Sequence, residues 1–96
     1  GEGDVDINIV GSKTEIIGKK FVVYSIDDMK LITDSDFFAS VSGNMTLSTT
    51  SGIMSFKAGT DLDIRSTTTL TLKSETTIDM DATTEVDIDS AIINLN

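Results

Sequence analysis

The 96-residue chain contains no cysteine and no histidine. Disulfides, thiol chemistry, Cys/His metal centres and imidazole acid–base catalysis are excluded together. Tryptophan is absent and only five residues are aromatic, too few for the platforms on which polysaccharide-cleaving enzymes stack sugars. Basic residues are scarce. Seven Lys and Arg face sixteen Asp and Glu, for a net charge of −9. A field of that sign repels phosphate backbones and anionic headgroups, which excludes a nucleic-acid-binding module. No apolar run approaches the ~18–20 residues of a membrane span, and no signal peptide is recognisable.

What the chain does contain is order of another kind. Its acids gather at one end, with Glu75, Asp79, Asp81, Glu85, Asp87 and Asp89 between Ser74 and Asn96 and no base among them. Acidity alone would suit disorder, but 39% of the residues are hydrophobic and regularly spaced, which argues against it. The length allows one domain. The opening Gly1-Glu2-Gly3, without an initiator Met, leads us to expect that residues 1–96 belong to a longer protein.

The spacing is a repeat of eight. Leu62-x-Ile64, Leu70-x-Leu72, Ile78-x-Met80 and Val86-x-Ile88 follow one another at that step. Allowing one extra residue near Thr50–Ile53, the series runs back through Met54-x-Phe56, Met45-x-Leu47, Phe37-x-Ala39, Met29-x-Leu31, Phe21-x-Val23, Lys13-x-Glu15 and Val5-x-Ile7. It ends at Asn94-x-Asn96. Two residues beyond each pair lies a third column that is small from Ala58 onward: Ala58, Ser66, Ser74, Ala82 and Ser90. Positions between the columns are mostly polar, as in Asp63, Arg65, Thr71 and Lys73. Alternation of this kind is the period-two pattern of a strand with one buried face. Units close on turn-forming residues such as Gly11-Ser12, Gly18-Lys19-Lys20, Asp34-Ser35-Asp36, Ser42-Gly43-Asn44 and Gly59-Thr60-Asp61. Gly and Asn there suggest corners with positive φ. Each octad is therefore expected to be a strand of about five residues followed by a corner.

A chain of this size buries a modest core by itself, and a single-chain solenoid of such octads would leave two open edges. The expected fold is instead all-β: a triple-stranded, intertwined β-helix, a triangular prism of octapeptide repeats in a homotrimer. With one inter-strand spacing per octad it would be roughly 55–60 Å long. Its trimer core would comprise the large apolar residues of the first two columns from Val5 to Ile88, the alanines excluded, with the four Met (Met29, Met45, Met54 and Met80) filling gaps.

Two units, Ile7-x-Ile9-x-Gly11-Ser12 and Ala39-x-Val41-x-Gly43-Asn44, resemble the V-x-G-N octads of the central spike protein of contractile-tailed bacteriophages. The same architecture recurs in the VgrG spikes of type VI secretion. The likeness covers the whole chain in register, although later units replace Gly with Thr or Ser. It implies that residues 1–96 form a C-terminal β-helix spike domain, part of a trimeric, membrane-piercing needle. That needle would sit at the baseplate tip of a virion, preceded by other spike domains, and be driven through the host outer membrane. It further implies a PAAR-like tip protein as partner. Iron-binding tips of the family use His-x-His, which is missing here, so no metal and no cofactor are expected. A VgrG-type secretion spike and the shaft of a receptor-binding fibre are the competing structural readings. The small third column, implying a slimmer rod, favours a spike. No catalytic residue is expected.

Several residues stand out against this pattern. Ala91-Ile92-Ile93 is apolar where other corners are polar, and the chain closes on Asn94-Leu95-Asn96. Residues Ile92, Ile93, Asn94, Leu95 and Asn96 are expected to form a platform for the tip protein, or else to plug the end of the core. Lys13 and Glu15 interrupt the apolar columns. Either they pair inside, or the register slips and Ile16 or Ile17 turns inward. Ile16, Val22, Tyr24, Ile32 and Phe38 fall on the outward side, as a contact patch or through irregular geometry. The pairs Asp79/Asp81 and Asp87/Asp89 form a solvated face in preference to a cation-binding ladder. Introducing a carboxylate by Leu70→Asp or Ile78→Asp is expected to abolish assembly, at several kcal/mol or more per trimer. Thr71→Asp should leave the sedimenting mass unchanged, and equal damage from both would place the columns one residue off.

Overall fold

A computed structural model of the chain describes residues 3–95. It divides into two units, Gly1–Met45 and Thr46–Asn96. In both, the backbone runs in short extended segments separated by bends, and no helix or strand is present among the described residues.

The bends keep the eight-residue step. In the first unit they fall at residues 10–11, 18–19, 26–27, 34–35 and 42–43. In the second they fall at 50–52, 59–60, 67–68, 75–76, 83–84 and 91. The one longer bend takes up the extra residue that the spacing placed near Thr50–Ile53. Between bends, β-branched and polar residues hold the chain extended, as their restricted χ1 angles favour.

The expected triple-stranded β-helix is not what this chain forms. Within either unit, no described residues twelve or more positions apart bring their Cα atoms within 8 Å. A strand requires a neighbouring backbone for its hydrogen-bond ladder, whereas alternation of side chains arises from local extension alone. Here each bend carries the next segment away from the last, and no ladder is built. The all-β, triple-stranded and prism assignments are corrected accordingly. The surface of 11213 Å² is about twice the ~5,400 Å² of a folded monomer of 10.3 kDa. No described side chain is buried, so every residue assigned to the trimer core is exposed in the single chain.

Exposure is nevertheless graded by column. Ile9 is 44% exposed and the adjacent Val10 100%; Ile17 is 50% exposed and Ile16 89%. Off-column Tyr24, Ile26, Ile32, Phe38 and Ile53 are also far more open than column residues such as Met29, Met45, Met54 and Val86. Val5 and Leu31 are the column members that depart from this trend. One face of each segment is thus the more sheltered, and the apolar columns occupy it.

The bends are closed by two chemistries. Wherever the third-column residue carries a hydroxyl, that hydroxyl bonds across the bend that follows. Ser25 Oγ donates to the Asp28 carbonyl at 3.0 Å, and Ser66 Oγ to that of Thr69 at 2.7 Å. Thr33 Oγ1 accepts from the Ser35 N–H at 3.2 Å. Ser74 Oγ accepts from the N–H groups of Thr76 and Thr77 at 3.3 and 3.2 Å. Ser90 Oγ donates to the Ile92 carbonyl at 2.7 Å and accepts from its N–H at 3.2 Å. Thr49 Oγ1 reaches the Gly52 carbonyl at 3.4 Å, across the longer bend. These are the local side-chain–backbone turns for which Ser and Thr are suited. Where the third column is Ile9, Ile17, Val41 or Ala58, the bend contains Gly11, Gly18, Gly43 or Gly59 instead. Ala82 has neither device. The corner glycines do not adopt the positive φ expected of them; among the described residues only Gly3 does, at 82°. A Cβ built on Gly11, Gly18, Gly43, Gly52 or Gly59 meets nothing within 4 Å. The turn is made on the ordinary side of φ space, so glycine is not required there by strain.

Ser74→Ala should expose the Thr76 and Thr77 amides. With exposed hydrogen bonds contributing about 0.5–1 kcal/mol, their hydrogen exchange is expected to rise about two- to fivefold. Gly43→Ala should leave exchange around its bend unchanged. Unaltered exchange in S74A would show that the hydroxyl does not close the bend.

Candidate functional site

Of the features the sequence singles out, three bear on association: the apolar column face, the charged interruption at Lys13 and Glu15, and the end segment from Ile92 to Asn96. Local extension positions all three, because residues two apart in an extended segment share a side.

Lys13 and Glu15 form an ion pair, Nζ to Oε1 at 2.5 Å. Both side chains are about half exposed, as the apolar column residues are. Ile17 stays on the sheltered side and Ile16 on the open side. Ile16 does not turn inward, and the bends at 10–11 and 18–19 keep the eight-residue step on either side of this unit. On the opposite face Asp63 and Arg65 make the equivalent i, i+2 contact. Arg65 Nη2 lies 2.8 Å from Asp63 Oδ2, and Nε 2.9 Å from Oδ1. This forked geometry fixes the guanidinium, but both groups are well exposed, which leaves the pair a minor contributor to stability.

The structure describes the end segment as far as Leu95. Ser90 holds both backbone groups of Ile92, fixing the bend at residue 91. Ile93 is then half exposed, whereas Leu95 is almost fully so. Ile92 is also open. None of the three is buried in the single chain, and Asn96 lies outside the described residues.

Asp79, Asp81, Asp87 and Asp89 are exposed. No group of three or more carboxylates among the described residues is placed to hold a metal ion, and no cavity is found. Nor is any helix long and apolar enough to cross a membrane among them. The outward residues Ile16, Val22, Tyr24, Ile32 and Phe38 all remain on the open side.

One set of structural residues escaped the sequence reading. Ser25, Thr33, Ser66, Ser74 and Ser90 register there only as the polar or small members of a column. Their signal was present: a hydroxyl just before a corner that lacks glycine. Comparison with protein-family models, curated proteins and solved structures returned no match. The likeness to contractile-tail spikes accordingly rests on the octads themselves.

Proposed function

We propose that the chain is a non-enzymatic structural subunit of a cell-envelope-piercing spike at the baseplate tip of a contractile phage tail, acting as a homotrimer. The observation that carries this reading is the sheltered apolar face. Large apolar side chains recur on it at eight-residue steps, yet the chain buries none of them. An apolar face of that length is an association surface, because removing it from water is worth about 25 cal/mol per Å². Identical copies carry the same octads and so offer matching faces, and closed symmetric assemblies are the usual outcome for identical subunits. The octads Ile7–Ser12 and Ala39–Asn44 tie the assembly to spikes. Upstream spike and baseplate domains lie beyond the N-terminal end in this reading, and the host outer membrane is the target.

The segment Ile92–Asn96 receives a PAAR-like tip protein. Support comes from the change of character after Ser90, where apolar residues replace the polar ones of other bends. Association would have to cover Ile92, Ile93 and Leu95, since the lone chain leaves all three exposed.

Sedimentation should give a mass of about 31 kDa, three times that of the 10.3 kDa chain. A cooperatively folded 10 kDa species would refute the trimer. Deleting Ala91–Asn96 should leave the trimer intact while abolishing capture of a PAAR-like protein in a pull-down. A marked fall in the trimer's melting temperature would make the segment a plug, and undiminished capture would remove the platform.

A further inference from the structure

Columns that repeat every eight residues carry an ambiguity. One copy can slide along another by a whole octad and still match apolar residue to apolar residue, at the loss of a single unit of contact. Repetitive faces specify register weakly for this reason. Some feature must distinguish the correct alignment from its neighbours.

Lys13 and Glu15 are the only charged residues in the first two columns. They stand on the same sheltered side as Ile9 and Ile17, bonded to each other, with no slip in the chain on either side. The bond within the chain satisfies each group only in part. An ammonium has three donors and a carboxylate two oxygens, so both keep unused hydrogen-bonding capacity. Enclosed against apolar residues of a slid copy, that capacity would go unpaired and be costly. Set against the same unit of another copy, each Lys13 meets a Glu15 and each Glu15 a Lys13. Polar residues at single positions of otherwise apolar seams fix register in other assemblies in this way.

We infer that Lys13 and Glu15 form a shared charged layer between copies of this chain, and that this layer aligns the copies. The inference rests on the self-association proposed above and adds the residues that set its alignment.

Charge complementation tests it. K13E leaves two acids per copy at this level and E15K two bases. Each variant alone should associate at least about tenfold more weakly than the wild type, because like charges are gathered together. An equimolar mixture should recover part of that loss as mixed trimers resolved by native mass spectrometry, because a 2:1 trimer gathers four charges of one sign and two of the other where a single variant gathers six of one sign. The double exchange K13E/E15K should associate by itself. If either single variant associates as well as the wild type, or if mixing gives no rescue, the charged layer is refuted while self-association stands. A double exchange that fails to associate shows that each residue meets some other group, and refutes it equally. A wild-type chain that remains monomeric at all concentrations removes the self-association, and the layer with it.

Discussion

A backbone held extended leaves its own amide groups unsatisfied. An α-helix pairs N–H and C=O within one segment, and a hairpin does so between neighbours. Neither occurs among the described residues of this chain, whose hydroxyl bonds at the bends span only two or three positions. Most of the other N–H and C=O groups of the described residues face water or another polypeptide. Everything else in the structure follows from that constraint. The chain cannot enclose its apolar residues, its surface is that of a chain without a core, and its stability has to come from outside itself. Conformational entropy sharpens the point. Ordering a backbone costs roughly 1–2 kcal/mol per residue, and a chain with no buried side chain has little to set against it.

Within this limit the bends are built economically. Hydroxyls of the third column reach over the turn to carbonyl or amide groups, and bends without such a hydroxyl mostly contain glycine. The two devices nearly exclude one another along the chain. The longer bend at residues 50–52 combines Thr49 with Gly52, and the bend after Ala82 has neither. The small third column beyond Ala58, which by composition alone implies a slimmer rod, has this second explanation in Ser66, Ser74 and Ser90.

Features fixed by neighbouring residues could be read in the sequence. The eight-residue step, the additional residue near Thr50–Ile53 and the side of the chain on which each apolar residue lies all depend on local extension and turning. Lys13 and Glu15 were assignable to the column positions, and their pairing with each other follows from their i, i+2 spacing in an extended segment. Pairing between segments was not readable. Alternation states which way side chains point, but not whether a second backbone lies alongside, and the strands expected from it are absent. Positive φ at the corner glycines failed for a related reason: glycine permits that conformation without requiring it. The end segment was read by its change of character. The Ser90 hydroxyl that closes the bend at residue 91 was not part of that reading.

The bend at residues 50–52 has a consequence for how such a chain tolerates change. Before it, sheltered residues carry odd numbers, as in Met45 and Leu47; after it they carry even ones, as in Met54 and Phe56. An added residue has reversed the parity of the numbering without reversing any face, because the turn absorbed it. Each bend is thus a point at which the alternation restarts. An insertion inside a straight segment would invert only the residues up to the next turn, and one inside a turn would invert none. The units that follow the bend at residues 50–52 thus keep their alternation despite the residue added before them.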